Sequence, residues 1–326
     1  MGITAERTAD YSPRPSANSR EAVIPESCID LRLDQALARM FPEFSRSQLQ
    51  QWLRDDRIRV DGGGRVPPSR RVAGGEHVSV TPPPLPDETA HEPEDIPLRV
   101  VFEDEHLIVI DKPAGLVVHP AAGNWSGTLL NALLAHAPSV AGLPRAGIVH
   151  RLDKDTSGLM VIAKSLHVQT ALTRQIQARD VRRIYLAIAS GRLPATQTVE
   201  APVGRHPTQR TRMTVIESGK PARTHVRPIA GGQGWTLVEC ALDTGRTHQI
   251  RVHLAHVGLP LLGDPVYGPA RLSPGLAEAV GKFSRQALHA HRLAFDHPAT
   301  GERLEWSAAP PPDFEGLLDR LRERAC

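Results

Sequence analysis

A short polar turn between two apolar segments holds the residues best suited to chemistry. Its sequence, GIVHRLDKDTSGLMVIAK, spans residues 147–164 and places Arg151, Asp153, Lys154 and Asp155 within five positions. Neighbouring cations keep a carboxylate ionised, so an aspartate here can act as a nucleophile or a general base. Two other roles stay open on these residues alone: an aspartate that caps the turn, or a metal-binding Asp-x-Asp pair.

Two further segments concentrate basic residues. In GRTHQIRVH, residues 245–253, we expect Arg246 and His248 to contact phosphate, and Arg251 could do the same. Residues 204–225 contain five Lys or Arg and one acid, which predicts a protruding basic hairpin that closes on a polyanion. A merely solvated loop is the alternative. The candidate contacts in this hairpin are Arg205, Arg210 and Arg212.

Missing motifs exclude several classes of enzyme. The chain has no GxxxxGK[ST] phosphate loop, no GxGxxG after a strand, no GxSxG elbow and no HExxH. His248, His253 and His256 are spaced like metal ligands, but cysteine and carboxylate are absent from the same face. We therefore predict no metal and no cofactor.

Composition limits the cellular setting and the kind of RNA contact. No run reaches the ~20 apolar residues of a membrane helix, and the N-terminus lacks the apolar stretch of a secretory signal, so we predict a cytoplasmic protein without a membrane partner. The net charge of the 326 residues is only +3, so a polyanion must meet a local basic surface. Aromatic residues make up 4%, too few for a sheet that stacks several bases.

The chain divides into four segments by composition. Residues 1–22 are rich in Ser, Pro, Arg, Ala and Glu and are expected to form a disordered tail. Residues 23–81 predict a small domain, and residues 82–98, with six Pro and five acids, predict an extended linker. Residues 99–326 alternate short strands with helices, as a mixed α/β or α+β domain does.

The small domain begins with two helices. Apolar residues from Leu33 to Phe41 recur with helical spacing, and the Ser45–Gln48 capping box announces a second helix whose outer face carries Arg46 and Arg54. A hairpin signal follows at Asp61-Gly62. The stretch LRLDQALARMFPEFSRSQLQQWLRDDRIRVDG resembles the S4 domain, a small RNA-binding module. This resemblance implies an RNA partner without naming a reaction.

The large domain carries a more specific resemblance. HRLDKDTSGLMVIAKS is similar to the signature of the RluA-type pseudouridine synthases. Further matching segments are DKPAGLVVHP, RRIYLAI, GRTHQIRVHLAHVGLPLLGDPVYG and QALHAHRL. The resemblance implies an α+β fold with a mixed, largely antiparallel sheet. It also implies a reaction that needs no cofactor.

The same resemblance assigns roles to individual residues. It implies that Asp153 is the catalytic carboxylate, that Tyr185 stacks on the base and assists proton removal from C5, and that Arg251 pairs with the carboxylate. Without the family, Tyr185 would be assigned to the core. Arg151, two positions before Asp153, is placed to fill the gap left by an extruded uridine.

Within the family the motifs are most similar to the synthases of large-subunit ribosomal RNA. The expected function is isomerisation of uridine to pseudouridine in 23S ribosomal RNA, at clustered uridines of the intersubunit-bridge hairpin, helix 69. The partner is then this RNA or a pre-ribosomal particle. We expect the protein to be a monomer. The alternatives are a synthase for other ribosomal or transfer RNA sites, or a non-catalytic RNA-binding ribosome-assembly factor.

Overall fold

The computed structural model describes residues 19–42, 44, 46–81, 92–120, 124–209 and 212–324. Its internal contacts divide the chain into two compact units, residues 1–90 and 91–326. Several predicted features lie outside the described residues or side chains: most of the tail, the first part of the linker, the Ser45–Gln48 capping box and Arg210.

The first unit contains a three-stranded antiparallel sheet and two short helices. Its elements are β1 (Arg20–Val23), α1 (Leu33–Met40), α2 (Arg46–Arg54), β2 (Ile58–Val60) and β3 (His77–Val80). The strand order is β1-β3-β2. The helical stripe predicted from the sequence is confirmed, because Leu33, Ala36 and Leu37 are buried in one core with Leu49 and Leu53.

Two boundaries in this unit differ from the prediction. The tail was expected to extend to residue 22, but Arg20–Val23 forms β1 and pairs with β3. Pairing uses the backbone, so polar and exposed side chains do not prevent it. The turn at Asp61-Gly62 has positive φ at both residues, yet the strand that pairs with β2 begins only at His77.

The second unit begins within the predicted linker. The Asn131 side chain donates to the Glu92 carbonyl at 2.9 Å, and the Gly127 amide donates to the Glu94 carboxylate at 2.9 Å. The elements that follow are β4 (Val100–Glu103), β5 (Leu107–Lys112), α3 (Leu129–His136), β6 (Ser157–Ala163), α4 (Leu166–Ala178), β7 (Arg182–Ser190), β8 (Gln197–Glu200), β9 (Val203–Arg205), β10 (Met213–Val215), β11 (Arg223–Gly232), β12 (Trp235–Leu242), α5 (Gln249–His256), α6 (Pro274–Val280), β13 (Leu288–Asp296), β14 (Arg303–Ser307) and α7 (Pro312–Glu323).

The described strands of this unit form one large sheet and one small one. The large sheet has the order β4-β5-β6-β13-β7-β12-β11-β8, with β14 also paired to β13. Its neighbouring strands run antiparallel except β6 and β13, which are parallel. Strands β9 and β10 form a separate antiparallel pair. The predicted α+β class with a mixed, largely antiparallel sheet is confirmed.

The two faces of the large sheet have different coverings. On one face, β7 contributes Tyr185, Ala187 and Ala189 to a core that also contains Ile250 and Leu254 of α5. The opposite face packs against α4, α6 and α7. The polar turn and helix α5 therefore belong to the same side of the sheet.

Two glycines fix the ends of the polar turn. Gly147 has φ +77°, and a Cβ there would lie 1.9 Å from the Ala163 carbonyl oxygen. Gly158 has φ +114°, and a Cβ there would lie 2.3 Å from the Ala290 carbonyl oxygen, where β6 meets β13. Only glycine allows both the conformation and the close approach. The turn is thus anchored to backbone at both ends.

Candidate active site

Asp153 lies in the turn between these glycines, and its carboxylate is directed away from the turn itself. The Asp153 backbone carbonyl, not its side chain, accepts from the Thr156 amide at 3.1 Å. Gln286 donates to the Thr156 hydroxyl at 3.0 Å, and Arg285 donates to the Asp155 carbonyl at 3.2 Å. The turn is braced by main-chain and neighbouring groups, which leaves the Asp153 carboxylate available for another role.

Arg251 joins Asp153 to a second, buried carboxylate. Its Nη1 donates to Asp153 Oδ2 at 3.0 Å, while Nε and Nη2 donate to the two oxygens of Asp264 at 2.7 and 2.8 Å. The Asp264 side chain is 0% exposed, Arg251 is 5% exposed and Asp153 is 19% exposed. A two-pronged bond to a buried carboxylate holds the guanidinium rigidly. Arg251 therefore presents its free edge to Asp153 in one orientation.

Burial and hydrogen bonding decide the charges in this pair. Burial raises the pKa of the Asp264 carboxyl, but hydrogen bonds from Arg251 and the amides of Val266 and Tyr267 outweigh burial and keep it below its ordinary value. Burial lowers the pKa of Arg251, and the two carboxylates more than reverse that effect. Both groups are ionised at neutral pH, so a charged guanidinium bridges the carboxylate of Asp264 and the side chain of Asp153.

His248 approaches Asp153 from the other side. Its Nε2 lies 3.8 Å from Asp153 Oδ1, and its Nδ1 lies 2.9 Å from the Tyr267 hydroxyl oxygen. The same hydroxyl accepts from the Met213 amide at 2.7 Å, so it bridges His248 and the backbone of β10. Burial, and then the charge of Arg251, lower the pKa of His248 against the opposing effect of Asp153. The imidazole is therefore neutral at pH 7, and its Nε2 edge faces Asp153.

Tyr267 connects this centre to the basic hairpin formed by β9 and β10. The Arg251 guanidinium carbon lies 5.0 Å from the Tyr267 ring centroid, and that of Arg212 lies 5.4 Å from it. Arg212 also donates to the Val266 carbonyl at 2.9 Å. The hairpin backbone, at Met213, and a hairpin arginine therefore both contact the ring that orients His248.

Tyr185 is buried on the sheet face described above and is 7% exposed. Burial raises the pKa of its hydroxyl, the charge of Asp153 raises it further, and the charge of Arg183 opposes them. Tyr185 thus belongs both to the core and to the electrostatic surroundings of Asp153.

Lys112 supports the turn from below. Its side chain is fully buried, and Nζ donates to the carbonyls of Pro113, Leu116 and Lys154 at 2.8, 2.9 and 2.9 Å. Burial lowers the pKa of Lys112 to about 7, against the opposing charges of Asp155 and Asp153. One ammonium group therefore joins the segment after β5 to the residue that follows Asp153.

The remaining predicted RNA contacts are distributed over both units. Arg151 is exposed, and its charge acts on His248. Arg205 is exposed on β9, while Arg246 donates through Nε to the Pro221 carbonyl at 3.1 Å. In the first unit, Arg54 donates to Gln51 at 3.0 Å.

Arg46, also predicted as an RNA contact, takes part in a structural ion pair. Its Nε and Nη2 donate to Asp34 at 3.0 and 2.8 Å, and the Asp34 side chain is 0% exposed. Arg32 donates to the same carboxylate at 3.2 Å. This contact could not be predicted from the sequence, because the two helices must pack before it forms.

Three residues of the site lie in recognisable sequence motifs, but the sequence alone predicted no role for them. Asp264 and Tyr267 belong to GDPVYG, and Lys112 belongs to DKPAGLVVHP. Membership of a polar motif was the only signal available for them. Their roles depend on contacts with residues that are distant in the chain.

Metal ligation finds no support in the part of the chain that the structure describes. No group of three or more His, Cys, Asp or Glu side chains there is arranged to hold an ion. His253, one of the three spaced histidines, bonds instead to the Thr224 hydroxyl and the Ala201 carbonyl. Among the described helices, none is both long enough and apolar enough to cross a membrane.

Comparison with known proteins identifies the family. Ribosomal large subunit pseudouridine synthase D of Nitrosomonas europaea is 50% identical over 98% of this chain and 95% of its own length. The chain belongs to the RNA pseudouridylate synthases. This synthase matches the RNA pseudouridylate synthase family over residues 106–256 and the S4 domain over residues 31–78. The relative of the same name from Escherichia coli (strain K12) is 49% identical over 92% of the synthase and 94% of its own length.

A solved structure agrees with this assignment. Human RNA Pseudouridylate Synthase Domain Containing 4 is 28% identical, with a TM-score of 0.57, over 69% of the synthase and 93% of that chain. The synthase is therefore an enzyme that isomerises uridine, and its fold is that of the pseudouridine synthases.

Proposed function

We propose that this synthase converts uridine to pseudouridine in large-subunit ribosomal RNA, with Asp153 as the reacting carboxylate. The observation that supports Asp153 is the bond from Arg251, 3.0 Å long, made by a guanidinium that buried Asp264 holds in place. The names of the relatives support the ribosomal substrate. The target within it is the group of clustered uridines in the intersubunit-bridge hairpin, helix 69.

The reaction needs a carboxylate beside the sugar. The C1'–N1 bond breaks, the uracil turns in the pocket, and C1' bonds to C5. The sugar gains positive character when the base leaves, so an ionised carboxylate near C1' stabilises or captures it. Asp153 either attacks C1' or removes a sugar proton to give a glycal. Tyr185 stacks on the base and assists removal of the C5 proton.

A uridine within folded RNA reaches this pocket only after extrusion, at a cost of a few kcal/mol. Exposed Arg151, in the same turn as Asp153, fills the gap in the RNA. The basic hairpin, including Arg205 and Arg212, holds the phosphates, and Arg246 and His248 add further phosphate contacts. The S4 unit adds affinity through its exposed arginines, so the partner is the ribosomal RNA itself or a pre-ribosomal particle.

Release of tritium from C5-labelled uridine in a large-subunit ribosomal RNA transcript tests the proposal. We expect Asp153→Asn to bind the RNA and release no tritium. Asp155→Asn, two positions along the same turn, is the matched control and should retain release. Undiminished release by Asp153→Asn would remove Asp153 from the mechanism.

The choice of substrate needs a separate measurement. Pseudouridines are mapped in ribosomal and transfer RNA of a strain that lacks the gene and in the same strain after its restoration. Loss confined to the helix 69 uridines agrees with the proposal. Loss at other ribosomal or transfer RNA sites, or an unchanged map, would contradict the proposed target.

A further inference from the structure

Arg183 is a buried cation close to the reaction centre. It is the second residue of β7 and is 6% exposed. Side chains two apart on a strand share a face, so Arg183 lies on the same side of the sheet as Tyr185. The Tyr185 face is the one that packs beneath helix α5 and the Asp153 turn.

This cation has no partner among the residues that the structure describes. Its Nε is shielded from solvent and has no hydrogen-bond acceptor, and no described carboxylate forms an ion pair with it. Arg251 on the same side of the sheet bonds to two carboxylates. Buried charges are ordinarily paired, because an unpaired one is costly to remove from water. A cation left unpaired in the free protein is suited to an anion that forms only during the reaction.

The surroundings of Arg183 connect it to the turn and to the loop before α5. A Cβ added to Gly245 would lie 2.8 Å from Arg183 Nη1, so this loop passes directly over the guanidinium. Burial, together with the charge of Arg183, lowers the pKa of His150 to about 3. Neutral His150 accepts from the Val161 amide through Nε2 at 3.1 Å. His150, which precedes Asp153 by three residues, therefore adds no competing positive charge.

From this arrangement we infer that Arg183 stabilises the negative charge of the detached uracil. This inference rests on the proposed function. When the C1'–N1 bond breaks, its electron pair stays with the base, which becomes an anion spread over N1 and its carbonyl oxygens. The anion is consumed when C5 bonds to C1', the C5 proton leaves, and N1 gains a proton. The same anion arises whether Asp153 attacks C1' or removes a sugar proton.

The base is a better partner for Arg183 than a backbone phosphate. Phosphates lie at the surface of bound RNA, where exposed Arg151 and Arg205 are accessible. Arg183 lies in the sheet, beside the tyrosine proposed to stack on the base. A fixed cation in a buried site stabilises charge without reorganising when that charge appears.

Three variants of the full-length synthase test the inference. Arg183→Met removes the charge but keeps the length of the side chain, and Arg183→Lys keeps the charge. Arg182→Met changes the exposed neighbour and is the control. The measurements are single-turnover conversion of labelled ribosomal RNA, RNA affinity and the thermal midpoint. We expect Arg183→Met to convert RNA about 100-fold more slowly. Its RNA affinity should stay within about threefold, and its thermal midpoint should be unchanged or higher. Arg183→Lys should convert RNA at least about tenfold faster than Arg183→Met. Arg182→Met should convert RNA at the wild-type rate.

A second substrate probes the charge on the base directly. Fluorine at C5 withdraws electrons and so stabilises the uracil anion without help from the protein. The rate of glycosidic bond cleavage should therefore differ less between wild type and Arg183→Met on RNA containing 5-fluorouridine than on RNA containing uridine. An equal rate loss on both substrates would overturn the inference. So would weaker RNA binding at an unchanged rate, which indicates a phosphate contact, or a lower thermal midpoint with full activity, which indicates a structural arginine. If the wild type itself converts no uridine, the proposed function fails instead.

Discussion

Replacing Asp264 with asparagine should destabilise the large unit because the change removes the counter-charge of a buried guanidinium. The Asp264 carboxylate is 0% exposed and accepts four hydrogen bonds, two from Arg251 and one each from the amides of Val266 and Tyr267. Breaking one side of a buried ion pair costs about 3 to 5 kcal/mol. Asparagine keeps one acceptor oxygen and Arg251 keeps Asp153, so we expect about 3 kcal/mol, at the lower end of that range.

Urea and thermal unfolding at pH 7 measure this change. A loss of about 3 kcal/mol lowers the thermal midpoint by roughly 6 to 12 °C in a domain of this size. Most of the loss arises because Arg251 remains buried without its counter-charge. The double variant Asp264→Asn with Arg251→Met should therefore lose less free energy of unfolding than the two single variants lose together. Additive losses, or a change below about 1 kcal/mol for Asp264→Asn, would refute this account of the pair.

Acid provides an independent check on the same carboxylate. The pKa of Asp264 in the folded protein lies below its ordinary value, so its stabilising contribution is complete above pH ~4 and declines as the pH falls further. The asparagine variant has no such group to protonate. The stability difference between wild type and variant should therefore narrow below pH ~4, and a difference that widened would contradict the assigned direction.

Two further substitutions test the supports of the site. Tyr267→Phe keeps the ring beside Arg251 and removes the hydroxyl that bonds to both Met213 and His248. The free energy of unfolding, measured in urea, should fall by about 1 to 3 kcal/mol. An unchanged urea midpoint would contradict the role of this hydroxyl as a bridge. Gly158→Ala forces a Cβ to within 2.3 Å of the Ala290 carbonyl at a positive φ and should cost about 3 kcal/mol or more. Gly275→Ala in α6 is the control, because an added Cβ there meets open space, and it should be neutral or stabilising by up to ~1 kcal/mol. Equal losses of stability in the Gly158 and Gly275 variants would show that the close approach at Gly158 is unimportant.

Features set by short-range burial could be predicted from the sequence. The helical stripe at Leu33, Ala36 and Leu37 and the apolar strand that ends at Ala163 were recognisable because each depends on residues within a few positions. The turn around Asp153 was recognisable for the same reason, since polar residues interrupt an apolar pattern. In such segments the local pattern and the tertiary environment agree.

Features that depend on tertiary pairing could not be predicted in the same way. The partner of Arg251 in the core is Asp264, and nothing local distinguishes that aspartate from others in the chain. The unpaired state of Arg183 is likewise visible only once every neighbour has been placed. Strand β1 was missed because its ordering comes from backbone bonds to β3 and not from its own composition.

The anchoring of the Asp153 turn has a consequence for engineering. Backbone atoms occupy the space beside both Gly147 and Gly158, so neither position tolerates a side chain and the turn has little freedom to change length. Redirecting the enzyme to a different uridine therefore requires changes outside this turn, in the surfaces that bind RNA. Substitutions at exposed positions outside the turn, such as Arg205 on β9, leave both glycine contacts in place, whereas randomising residues 147–158 removes them.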